Sequence, residues 1–242
     1  MTAAAESLPG TDIDLLLLCD HASDWVPADV AIPQHLLSLH VGVDIGAGPL
    51  TRALSARLDA PAILGTVSRL VIDLHRQSDH PGLIPDISDG HAIPANIGAD
   101  RVDRIARFHA PYHRAIRERV RRDRPRLIVA IHSFTPKLET GGDPRPWEAG
   151  ILYGRADRAA RIAIDHLRAA GIPTGDQEPY SGRILNATLN RHADGQGIPS
   201  LSVEVRNDLI ADATGIVHWC GILADMIAAV RNGLALERLP AQ

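Results

Sequence analysis

The chain has 242 residues, 45% of them hydrophobic and 22% charged, with a formal net charge of −4. That is enough for a sizeable core. The lack of a global basic field and an aromatic share of 3% argue against a nucleic-acid partner. The two cysteines, Cys19 and Cys220, lie far apart in apolar surroundings, which excludes a disulfide framework and fits a reduced, cytoplasmic protein.

Residues 1–12 lack the basic and apolar regions of a secretory leader and are expected to be flexible. "IDLLLLC" (13–19) is far short of the roughly 20 apolar residues that cross a bilayer, so it reads as a buried strand and no membrane partner is expected. A helical pattern follows at 48–59, then aliphatic runs at 61–67 and 69–74 that read as further strands. A second helical pattern covers 99–123, kinked or divided by Pro111, and the arginine run at 113–126 within and beyond it reads as a solvated helix face. Strands are expected at 126–131, 150–154 and 199–205. Helices are expected at 155–171, stopped by Gly171 and Pro173, and at 215–237.

Near-continuous apolar strands alternating with helices imply an α/β fold, a three-layer sandwich around a mostly parallel mixed sheet, built as one domain over residues 1–242. The segments 75–98 and 133–148 are rich in proline and glycine and have no period. Long irregular loops of this kind, starting where strands end, are usually functional. No G-x-S-x-G elbow, Walker loop or G-x-G-x-x-G turn is present, which disfavours a serine hydrolase and a nucleotide-binding protein.

Several strands deliver polar residues at their carboxyl ends: Asp20 and His21, Asp73 to Arg76, His132, and Glu204 to Asp208. His21 and Asp24, three residues apart in "CDHASDW", with His132 of "AIHSF", form a two-histidine, one-carboxylate set that leaves room for water on a zinc-like ion. Asp20 is the alternative carboxylate. Glu204, in the apolar "LSVEVRND", is read either as a general base or as the partner of Arg206 in a structural ion pair. Arg69 and Arg76 bracket "LVIDLH", and their planar guanidinium forks suit a small anionic molecule, or else Arg76 pairs internally with Asp73.

With these stretches in view, "CDHASDWVP", "HVGVDIGA", "SRLVIDLHR", "FHAPYHRAI", "IHSFTP", "EPYSG" and "IPSLSVEVRNDLI" together resemble the N-formylglutamate amidohydrolase family over roughly residues 13–232. That family is similar in fold to the zinc carboxypeptidases. The resemblance implies a zinc-dependent hydrolase that cleaves the amide of a small anionic N-acyl amino acid such as N-formylglutamate. It further implies His21, Asp24 and His132 as metal ligands, Glu204 as the base, Arg69 as an oxyanion or carboxylate contact, and Arg76 with His75 on the substrate carboxylate. Aspartate at Asp24 departs from the glutamate of the related motif. Tyr180 is expected to cover the substrate. His40, Asp44 and His192 fall in family-like stretches with no role beyond lining or supporting the cleft. Rival readings are a deacylase of another N-acyl acid or short peptide, and a non-catalytic metal- or anion-binding protein. A monomer or small homo-oligomer is expected.

Overall fold

The computed structural model describes residues 4–236. In chain order it contains β1 (Ala5–Leu8), β2 (Leu15–Cys19), α1 (Gln34–Leu37), α2 (Ala47–Leu58), β3 (Ala62–Gly65) and a two-stranded hairpin of β4 (Ile87–Ser88) and β5 (His91–Ala92). Next come α3 (Arg101–Arg104), a π-helical stretch (Ile105–His109) and α4 (Ala110–Asp123). The remainder is β6 (Leu127–Phe134), β7 (Ala149–Leu152), α5 (Arg158–Ala169), β8 (Thr174–Asp176), α6 (Ala187–His192), β9 (Ser200–Arg206) and α7 (Ala213–Leu236).

The main sheet has seven strands in the order β1-β3-β2-β6-β9-β7-β8. β3, β2, β6 and β9 run parallel, whereas β1 and β7 pair antiparallel to their neighbours and β8 follows β7. This is the mixed, mostly parallel α/β sheet expected. The leucine run explains its centre. Leu15, Leu17 and Cys19 of β2 point into one apolar cluster with α2, α5 and α7, and Leu16 and Leu18 point into the other with α4 and the 69–74 segment. The stretch Ala213–Ala235 is long and apolar enough to cross a membrane, with a hydropathy of 1.6. Here it packs Trp219, Leu223, Met226, Ile227 and Val230 into the core.

Two expectations are corrected. Residues 5–8, expected to be flexible, form edge strand β1 against β3. Residues 69–74 form no strand although 70–74 are buried, and side chains take the place of a neighbouring strand. Asn96 donates to the Leu70 carbonyl, Arg104 to that of Val71, His113 to that of Leu74 and His109 to that of Arg76. Every one of these carbonyls is therefore satisfied without a ladder. Pro111 neither breaks the backbone nor ends the helix: α3, the π-helical stretch and α4 run on without leaving helical conformation, and the wider π turn lies just before the proline.

Candidate active site

The carboxyl ends of β2, β6 and β9 meet over a cavity of about 180 Å³. His21, His40, Asp44, Arg69, His75, Arg76, His132, Tyr180 and Glu204 are among the residues lining it. His21 is the second residue past β2. His132 and Glu204 are register partners on adjacent strands, which places both on the same face of the sheet.

Asp44 is the centre of the cluster. It is held by the bond from its N–H to the His21 carbonyl and by the start of α2, where Ala47 donates back to the Asp44 carbonyl. Its Oδ2 lies 3.2 Å from His21 Nδ1 and 2.9 Å from His132 Nδ1. Each ring has a second carboxylate behind it. His21 Nε2 is 2.8 Å from Asp73, and His132 Nε2 is 3.2 Å from Asp20. All of these side chains are buried.

An ionised carboxylate only accepts, so an imidazole between two of them is drawn to hold both protons. Burial and Arg69 push the His21 pKa down, but Asp44 and Asp73 outweigh them and hold it above the usual histidine value. His132 is raised well above that value, its burial outweighed by the carboxylates of Asp20 and Asp44 facing its two nitrogens and by nearby Glu204. Burial works against ionisation of Asp44, Asp20 and Asp73 as well, yet the histidines around them, with Arg69 beside Asp44 and Asp73, keep all three strongly acidic. Both imidazoles thus turn Nδ1 toward Asp44 Oδ2, at the point where a divalent cation would bring positive charge. His21, Asp44 and His132 have ligand atoms within 4.8 Å of one another. Two imidazoles and a carboxylate with carboxylates behind the rings are a donor set that suits zinc.

A second group, Asp20, His75 and His132, also meets the spacing for a metal. Its Asp20 and His75 atoms are committed within the protein, whereas His132 Nε2 faces Asp20 without a hydrogen bond of good geometry. Thr188 donates to Asp20 Oδ1, His75 Nδ1 sits 2.8 Å from Asp20 Oδ2, and His75 Nε2 donates to the Leu185 carbonyl at 2.7 Å. It therefore serves as a brace behind His132.

Burial is the main cause that raises the Glu204 carboxyl to about 7, with Asp44 adding to it against the pull of His132. A carboxyl poised near neutrality can accept and return a proton. Arg69 donates to Asp44 at 2.9 Å and to Asp73 at 3.0 Å, and these two bonds leave three of its five donor hydrogens. Arg76 is the less committed guanidinium, with Asp73 at 3.8 Å. Tyr180 is held by Arg145, which donates to its hydroxyl at 3.1 Å and lies over its ring.

Of the residues expected from the sequence, His21, His132, Glu204, Arg69, Arg76, His75 and Tyr180 line the one cavity. Asp24 does not. It is exposed on the irregular stretch after His21, where a three-residue spacing does not bring two side chains onto one face, and Asp44 occupies the place expected for it. His75 reaches the wall, but both of its nitrogens are used internally. Glu204 is buried beside His132, whereas Arg206 pairs with Asp208, so the alternative Glu204–Arg206 ion pair does not form. Asp44, Arg145 and Thr188 were not assigned roles from the sequence. The signal for Asp44 was its place in the family-like "HVGVDIGA" stretch, which gave it no more than a lining or supporting part.

Comparison with known proteins bears on the fold and the family. A gene product of Agrobacterium tumefaciens of known crystal structure is 28% identical, with 97% of each chain covered and a TM-score of 0.91. The crystal structure of N-formylglutamate amidohydrolase from Ralstonia eutropha, 21% identical, covers 98% of this chain and 99% of its own with a TM-score of 0.74, a likeness of fold. No curated protein sequence matches the chain. The family profile described as N-formylglutamate amidohydrolase matches residues 13–211, and the chain belongs to that family.

Proposed function

We propose that the protein is a metal-dependent hydrolase that cleaves the amide bond of a small N-acyl amino acid of the N-formylglutamate type, releasing formate and the free amino acid. The observation that carries this reading is the convergence of His21, Asp44 and His132 on one point, with Glu204 the register partner of His132.

His21 and His132, through Nδ1, and Asp44 would hold the cation, and Asp73 and Asp20 behind the rings would fix their orientation. When bound, a zinc ion polarises a carbonyl and makes water more acidic. Glu204 accepts a proton from the attacking water as its oxygen bonds to the acyl carbon, and then delivers that proton to the amide nitrogen as the carbon–nitrogen bond breaks. Arg69, anchored on two carboxylates, keeps donors for the carbonyl oxygen as negative charge develops on it. Arg76 binds the substrate carboxylate through its fork, and Tyr180 covers the substrate. No partner beyond this small substrate is invoked. Two free cysteines, both buried, suit a cytoplasmic setting.

The test is elemental analysis of the purified protein together with turnover of N-formyl, N-acetyl and N-succinyl amino acids. The expected result is one bound divalent metal and efficient turnover of the formyl class. A metal-loaded protein inert to the whole panel overturns the reading, and a preference for acetyl or succinyl substrates moves it to another deacylase.

A further inference from the structure

We propose that His40, backed by Asp89, is a specificity-determining residue that binds a second carboxylate on the substrate, the one borne by the amino-acid side chain. This rests on the reading of the cavity as an N-acyl amino acid site, with Arg76 on the first carboxylate.

The basic groups of the cavity are unequally committed. Arg69 is tied to Asp44 and Asp73, and His21, His75 and His132 have both ring nitrogens facing protein acceptors. His40 is different. Its Nε2 lies 2.9 Å from Asp89 Oδ2, and its Nδ1 has no protein hydrogen bond among the described residues.

Asp89 is built to be that partner. Its carboxylate accepts from the Glu139 N–H at 2.8 Å, the Thr140 N–H at 3.1 Å and the Thr140 hydroxyl at 2.6 Å, as well as facing His40. Burial opposes its ionisation, but these donors outweigh burial and lower its pKa to about 2. An ionised carboxylate cannot donate, so the imidazole proton sits on Nε2 and Nδ1 is the nitrogen left for a ligand.

The surroundings are costly for a loop tip. Asp89 and Gly90 form the turn between β4 and β5 with φ of 42° and 83°, the mirror-image hairpin turn that aspartate–glycine favours. Side chains at such tips are ordinarily solvated, yet that of Asp89 is only 5% exposed. Strands of two residues hold little by themselves. The hairpin is tied down by Asp89 and by the His91–Glu139 ion pair, and what those ties position on the cavity wall is His40.

A carboxylate that enters at Nδ1 sets the ring between two acceptors, the arrangement His21 has between Asp44 and Asp73, and Nδ1–H donates it a charge-assisted bond. A neutral side-chain amide at the same place receives a bond about half as strong.

The experiment compares kcat/KM for N-formylglutamate and N-formylglutamine in metal-loaded wild type, His40→Gln, Asp89→Asn and His91→Gln. Wild type is expected to favour the acid by about tenfold or more. His40→Gln and Asp89→Asn should lose most of that preference, chiefly through KM for the acid. His91→Gln, which cuts the other tie of the hairpin, should retain it. An unchanged ratio in His40→Gln, no preference for the acid in wild type, or an equal loss in His91→Gln overturns the proposal.

Should wild type hydrolyse neither substrate, the proposed function fails, and calorimetric titration with glutarate and butyrate decides the binding claim separately. Glutarate bound more tightly than butyrate by wild type, with that difference lost in His40→Gln, sustains it. Equal affinities, or a difference that survives in His40→Gln, overturn it.

Discussion

His132 of β6 and Glu204 of β9 are register partners in the sheet, so the spacing between a proposed cation ligand and the proposed base is set by the backbone ladder of two central strands. Strands buried on both faces form one of the stiffest frames a domain offers, whereas Arg76 and Tyr180 approach the same point from loops.

Glu204→Gln keeps the shape of the base and removes its capacity to take a proton. Turnover of an N-formyl amino acid should fall by about 10²–10⁴-fold while bound metal stays the same, as read by kcat beside elemental analysis. Unchanged kcat would exclude Glu204 as the base.

Asp44→Ala and Asp24→Ala separate the two candidate carboxylates. Loss of Asp44 removes a proposed ligand and leaves the two histidines without their shared acceptor, so bound metal and activity should both disappear. Asp24 is exposed, and its removal should leave metal content intact and change stability by no more than about 0.5 kcal/mol. The reverse pattern would restore Asp24 as the ligand.

Asp20→Asn tests the brace behind His132. The amide still fills the space beside Thr188 and His75 but no longer presents a charge to the ring. Metal affinity should fall by about 10–100-fold in a competition titration with a chelator.

Stability of the metal-free protein should fall on mild acidification. Burial, reinforced by neighbouring cationic groups, depresses His192 to about 4 and His113 to about 2, and burial also lowers His75 and His109. The unfolded chain binds these protons at about pH 6.5. It therefore holds more protons than the fold below that pH, and the contribution present above about 6.5 is lost as pH drops toward 4 and below. His21 and His132, held above the ordinary histidine value, have the opposite sign above about pH 6.5 and no effect below it, where they are protonated folded and unfolded alike. Glu204, raised to about 7, has the opposite sign below it too, but there it is one group against four imidazoles. Urea midpoints between about pH 6.5 and 4.5 should decline, and less steeply in His192→Gln.

The legible part of the site is the part carried by strands. His21, His132 and Glu204 stood out because polar residues interrupt or end apolar runs, and parallel strands bring such ends to one edge. Asp44 was less visible because it lies in a loop and meets His132 across a separation of 88 residues. Asp24 looked better by spacing alone, and only the irregular path after His21 shows why it points elsewhere. For β1 and β8 the pattern was too short, and for residues 69–74 apolar continuity could not reveal where the carbonyls find their donors.

The Arg69–Arg76 wall has a practical consequence for redesign. Its path is propped by Asn96, Arg104, His109 and His113, residues that sequence position alone would class as remote. A library aimed at new acyl groups should freeze these props along with the reactive residues. Diversity is better placed in the β4–β5 hairpin and the 138–140 loop, which hold each other through Asp89 and the His91–Glu139 contact and can be exchanged as a cassette that keeps Asp89 against His40.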